Sequence, residues 1–146
     1  MPSLRITKEF RFEGAHALVG YDGKCRHIHG HSYLLYVTVG GKPCDCPSSP
    51  KYGMLMDFTD LKRIVTENII DIFDHALILE SGSALTEEME RCYGNVVTLP
   101  FRPTAENLAA HFARIIGGKL PENVSLHSIK LYETPTSYVE WVAGDY

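Results

Sequence analysis

The sequence predicts an α+β domain in which two helices pack on one face of a four-stranded antiparallel sheet. Three observations lead there. Apolar residues repeat at every second position near both ends of the chain, they repeat at every third and fourth position in two central segments, and the resulting order is strand, strand, helix, helix, strand, strand. Strands grouped apart from helices, rather than alternating with them, point to helices segregated on one face of an antiparallel sheet.

Along residues 4–12 the apolar side chains Leu4, Ile6, Phe10 and Phe12 occupy even positions, with only Lys8 breaking the period of a half-buried strand. A second strand is expected over 32–39, where Tyr33, Tyr36, Val37 and Val39 cluster before Gly40-Gly41 ends it. Residues 42–53 hold three prolines, two cysteines and two serines and read as a loop. Thr59 is expected to cap a helix whose stripe is Leu61, Ile64, Val65, Ile69, Ile72 and Phe73. A second helix opens at Thr104 behind Pro103, buries Leu108, Phe112, Ile115 and Ile116, and stops near Gly117-Gly118; the two helices are expected side by side. Strands over 126–132 and 137–142, joined across Pro135, suggest a hairpin. So small a sheet has edges to cover, and continuing it into neighbouring subunits predicts a homo-oligomer.

At 146 residues the chain fits one domain, 1–146, with no internal repeat, linker or low-complexity segment. A composition of 45% hydrophobic and 22% charged residues is that of a soluble globular protein. The net charge of −4 and the absence of a basic block give no general attraction to nucleic acid, and no apolar run is long enough for a membrane span. Arg5, Lys8 and Glu9 interrupt the start, so a secretory signal is not expected, a cytoplasmic location is, and the four cysteines should be free thiols.

The densest chemical signal is Cys25-Arg26-His27-Ile28-His29-Gly30-His31. His29 and His31 are two apart, so in extended backbone their imidazoles share a side and can grip one ion. If the first two strands pair antiparallel, His16 becomes the third ligand. Three imidazoles without a fourth protein ligand describe an open, catalytic zinc site better than a closed structural one. Against this stands the plain reading of histidines with ordinary hydrogen bonds, which the shared spacing disfavours. Cys25, flanked by Lys24 and Arg26, can be read as a fourth ligand, a small buried hydrophobe or a reactive thiol. Asp74-His75 ends the first helix; a carboxylate beside an imidazole suits a general acid or base, and a helix-end histidine also suits the helix dipole. Cys44 and Cys46 lack a second ligand pair and read as plain loop. His111, His127 and Cys92 read as structural, and His27 as an exposed neighbour of the site.

Six motifs taken together and in this order resemble the 6-pyruvoyltetrahydropterin synthase family, which includes the bacterial 6-carboxytetrahydropterin synthases. They are Phe10-x-Phe12-x-Gly14-Ala15-His16, Cys25-x3-His29-Gly30-His31, Met56-Asp57-Phe58-x2-Leu61-Lys62, Asp74-His75, Pro103-Thr104-x-Glu106-Asn107 and Glu133-Thr134. The resemblance implies a tunnelling fold whose trimers stack into a hexameric barrel. It implies Zn2+ on His16, His29 and His31, a Cys25 that takes a substrate proton, and an Asp74-His75 pair supplied by a neighbouring subunit. Glu133 falls on the glutamate that anchors the pterin ring, and Thr104 lies in a segment lining that pocket. The implied substrate is 7,8-dihydroneopterin triphosphate. Residues 54–58, Met-Leu-Met-Asp-Phe, look more like the bacterial enzymes of queuosine (7-deazaguanine) synthesis, which release 6-carboxytetrahydropterin, acetaldehyde and triphosphate. The alternatives are the tetrahydrobiopterin-pathway reaction, which gives 6-pyruvoyltetrahydropterin and triphosphate, and a non-catalytic zinc- or pterin-binding module. Gly14 stands where alanine is usual, His27 is an added histidine, Phe73 replaces a common leucine, and residues 42–51 and 80–94 are less familiar.

Overall fold

A computed structural model describes residues 2–145. Alternation in the sequence becomes two long paired strands, β1 (Leu4–His16) and β2 (His29–Gly41), antiparallel with Phe12 opposite Tyr33, Gly14 opposite His31 and His16 opposite His29. Both run further than the sequence suggests, because a strand end made of Gly, Ala and His has no β-branched or aromatic residue to mark it. The inward parity of Phe10 and Phe12 continues through Gly14 to His16, and that of Tyr33 and Leu35 runs back through His31 to His29. The candidate metal ligands therefore stand on the same face as the core.

Helix α1 (Phe58–Val65) passes through a π-helical turn (Thr66–Ile70) into the short α2 (Asp71–Phe73). Its N-cap is Asp57, whose carboxylate accepts from the Thr59 N–H at 2.8 Å, so the cap lies two residues before the expected Thr59. Strand β3 (Ala76–Glu80), helix α3 (Ala84–Cys92) and strand β4 (Val96–Leu99) follow, then α4 (Ala105–Gly117) and the expected hairpin of β5 (Ser125–Thr134) and β6 (Ser137–Val142). The sheet thus has six strands in the order β4-β3-β1-β2-β5-β6, and it is mixed, since β3 pairs parallel with both β1 and β4. This corrects the expected four-stranded antiparallel sheet. Ala76 to Leu79 are all buried, and a strand buried on both faces shows no alternation for a periodicity argument to find.

The main core lies between the sheet and the helices. Phe12 stacks on Tyr33 with ring centroids 4.7 Å apart, and Phe112 of α4 meets Phe12 and Phe73 edge-on at 6.0 and 5.1 Å. Ile78 belongs to this core, whereas Leu77 and Leu79 join Ala17 in a second cluster against which Leu85 and Met89 of α3 pack. Helices accordingly cover both faces of the sheet near β3, rather than one face throughout. Among the described residues no helix is long and apolar enough to cross a membrane.

Candidate metal centre and adjoining cavity

Strand parity and register bring three imidazoles to one point. His16 Nε2 lies 3.0 Å from His29 Nε2 and 3.2 Å from His31 Nε2. Glu133, on the parity of Ile129 and Leu131 at the end of β5, places its carboxylate 3.1 Å from His16 Nε2 and 2.9 Å from His31 Nε2. Ligand atoms from His16, His29, His31 and Glu133 all fall within 4.8 Å of one another. Cys25 is not in that group.

The outer nitrogens reveal what the inner ones can do. His16 Nδ1 donates to the Pro103 carbonyl at 2.7 Å and His29 Nδ1 donates to the His27 carbonyl at 2.6 Å. Because a carbonyl only accepts, each neutral ring carries its proton on Nδ1 and turns a lone pair inward. Two such lone pairs 3.0 Å apart beside a carboxylate repel unless a positive charge sits among them. Extra protons or a divalent cation meet that need, and tetrahedral ligands about 2.0–2.1 Å from zinc would stand roughly 3.3 Å apart, near the spacing found. The three imidazoles fit a metal ion, and the Glu133 carboxylate stands within reach as a fourth donor, which the reading of three imidazoles without a fourth protein ligand does not include. His31 supports this: burial, opposed by Glu133 and reinforced by the other two histidines, lowers its pKa and favours the neutral, ligating imidazole. Positive charge at the inner nitrogens, whether extra protons or a cation, bonds the Glu133 carboxylate first at His16 and then at His31, and so holds its carboxyl below the ordinary value.

Cys25 sits half-buried on a single 3-10 turn (Lys24–Arg26) in the connection between β1 and β2. That connection is tied down where the Leu18 N–H donates to the Cys25 carbonyl at 2.9 Å and where Arg102 donates to the Val19 carbonyl at 3.1 Å. Asp74 closes α2 and accepts from the Glu13 N–H at 2.9 Å, which pushes its carboxyl below the usual range; its Oδ1 is also 3.1 Å from His75 Nδ1. His75 adopts a left-handed backbone with φ 62°, a conformation that costs an L-residue about 1–2 kcal/mol.

A cavity of about 540 Å³ adjoins the centre, and Glu13, His31, Ser32, His75, Tyr93 and Asn95 are among the residues lining it. One metal-cluster histidine and the carboxylate-paired histidine thus face the same space. Gly14 lines it too, and a Cβ there would lie 3.2 Å from the Tyr33 ring, close enough that the ring would have to shift by a few tenths of an ångström to admit an alanine methyl.

Thr104 has a structural task. Its hydroxyl accepts from the Asn107 N–H at 3.1 Å and caps α4, directly after the Pro103 carbonyl that holds His16. Thr104→Ala should lower stability by about 1 kcal/mol and leave bound metal at the wild-type level. Thermal melting paired with elemental analysis checks both. The Pro103 and His27 carbonyls were not legible as site groups, because a backbone acceptor has no signature in residue type.

Comparison with known proteins fixes the family: the sequence profile described as 6-pyruvoyl tetrahydropterin synthase matches residues 5–143. The chain belongs to the 6-pyruvoyl tetrahydropterin synthase family. It is 42% identical over 142 residues to a Haemophilus influenzae protein named 6-carboxy-5,6,7,8-tetrahydropterin synthase, with 94% of this chain and 97% of that one covered. Among solved structures, an uncharacterised protein of Wolinella succinogenes superposes with a TM-score of 0.80 at 21% identity, covering 98% of this chain and 99% of that one. The Caenorhabditis elegans 6-pyruvoyl tetrahydropterin synthase does so with a TM-score of 0.70 at 22% identity, covering 99% and 98%. At those identities the two structures speak for the shared fold. Members of this family make tetrahydropterins, and the histidine–glutamate cluster stands where such an enzyme can hold a metal ion.

Proposed function

We propose that the chain is a zinc-dependent 6-carboxy-5,6,7,8-tetrahydropterin synthase. This lyase converts 7,8-dihydroneopterin triphosphate and one water to 6-carboxytetrahydropterin, acetaldehyde and triphosphate, a step of queuosine (7-deazaguanine) synthesis. The observation that carries the reading is the convergence of three imidazole nitrogens, from His16, His29 and His31, at one point beside the Glu133 carboxylate. The name of the 42%-identical relative supports the carboxy product.

Zinc on His16, His29 and His31 would supply Lewis-acid polarisation of the substrate's side-chain hydroxyls. The Cys25 sulfur takes a proton from the activated side chain, and His75, braced by Asp74, returns or relays protons. Glu133, kept ionised, accepts hydrogen bonds from the amino and N–H donors of the pterin ring and so holds the ring in one orientation. A sulfur with these duties must stay reduced, which the cytoplasm provides.

Assembly into a hexamer of two stacked trimers belongs to the same proposal. On its outer side β1 pairs with β3 only from Gly14 to His16, so residues 4–12 offer an open edge, and β6 is the terminal strand on the other side of the sheet. An edge of one copy that receives the opposite edge of the next makes a heterologous contact, which closes into a ring when the rotation permits.

Purified, zinc-loaded protein given 7,8-dihydroneopterin triphosphate should release acetaldehyde and triphosphate in equal amounts, read by a coupled aldehyde assay and by phosphorus NMR. Triphosphate without acetaldehyde would mean the pyruvoyl reaction. Bound zinc with neither product would mean a binding module.

A further inference from the structure

Asn95 lies just outside the motifs that reveal the family, at the end of the segment linking α3 to β4, yet it makes two contacts that bracket Ala76. Its side-chain Nδ2 donates to the His75 carbonyl at 3.1 Å, and its own carbonyl accepts from the Leu77 N–H at 3.0 Å. Between these contacts the chain leaves the left-handed conformation of His75, the one non-glycine positive φ among the described residues, and enters β3. A backbone so rarely adopted by L-residues persists only where its surroundings enforce it. On one side the Glu13 carbonyl accepts from the His75 N–H at 2.5 Å and the Glu13 N–H holds Asp74. On the other side stands the Asn95 amide. His75 itself is held by backbone and by Asp74, with its side chain 76% exposed, and it lines the same cavity as Asn95 and His31.

We propose that Asn95 is a positioning residue for His75: its side-chain amide, bonded to the His75 carbonyl, fixes the left-handed backbone from which the imidazole is presented to the reacting side chain. The inference rests on the proposed lyase reaction, in which His75 moves protons. Loss of the amide frees the His75 carbonyl and lets the backbone relax toward right-handed values, which swings the ring away from its place. Misplacement by about 1 Å typically costs up to a hundredfold in rate. The amide is spent on the His75 backbone carbonyl rather than on substrate, so the loss belongs in kcat and not in KM.

Asn95→Ala and Asn95→Asp separate size from donor capacity, since aspartate keeps the shape and cannot donate when ionised. In the full-length, zinc-loaded protein both variants should lower kcat about ten- to a hundredfold, with KM within twofold, zinc per chain unchanged and melting temperature within about 2 °C of wild type. Amide hydrogen exchange at His75 should quicken in both. In single-turnover measurements on a His75→Ala background, Asn95→Ala should bring no further loss, because its effect passes through the imidazole. An active wild type whose Asn95 variants keep kcat within twofold overturns this inference alone, as does a loss that carries undiminished into the His75→Ala background. A wild type that releases neither acetaldehyde nor triphosphate overturns the lyase reading and this inference together.

Discussion

Chains of Cys25→Ala and His75→Ala, each inactive by itself, are expected to regain lyase activity when unfolded and reassembled together. General acid–base groups typically contribute about 10²- to 10⁴-fold, so each parent should fall by that order. The recovery depends on where the two groups meet. In the shared site that the family resemblance implies, Cys25 of one subunit works with Asp74 and His75 of its neighbour. A site is then whole only when the first chain is His75→Ala and the second is Cys25→Ala. Random assembly from equal amounts gives each condition a chance of one half, so recovery should approach a quarter of wild-type activity in a closed ring. Light scattering should report hexamers for both parents and for the mixture. Zinc should remain in all of them, because neither residue belongs to the ligand cluster. If mass spectrometry shows mixed oligomers while activity stays at the level of the parents, the two groups do not meet across a subunit boundary.

Metal binding should collapse in His29→Ala and in His31→Ala. Each change removes one of the three imidazoles, and among the described residues no further histidine belongs to the cluster. Zinc after dialysis should drop from one per chain to about a tenth or less, with lyase activity lost in parallel. One zinc per chain retained in both variants would sink the assignment. Glu133→Gln asks a different question of the same site. A ring-anchoring glutamate predicts full zinc with a raised KM, whereas a fourth ligand predicts weakened zinc binding. We expect the former.

Much of this centre was already legible in the pattern of residues. His-Gly-His at a two-residue interval must put both imidazoles on one side of an extended chain. His16 shares the even parity of Phe10 and Phe12, so burying those rings carries it inward. The cap at Thr104 could also be read, since Pro103 before it and the apolar stripe after it allow few other helix starts. The unread parts have no local signal. Strand β3 is apolar throughout and borrows its order from β1 and β4, and α3 covers a face of β3 that becomes visible only once β3 is known to be a strand. The cap of α1 fell on Asp57 because either of two polar residues near a helix start can serve, and it is Asp57 whose extended backbone lets its carboxylate reach the Thr59 N–H.

The sequence by itself determined the ligand-bearing strands, the polarity of their faces and the family to which the motifs belong, because these follow from the spacing of residues within a few positions of one another. Only the tertiary structure decided which distant groups would complete the centre. The β2–β5 pairing carries Glu133 to the histidines, the Pro103 carbonyl orients His16 from 87 residues further along the chain, and β3 and β4 bring Asn95 to His75. Contacts of that kind depend on strand register and chain crossing, which are set by how the whole core packs and which no local window of sequence records.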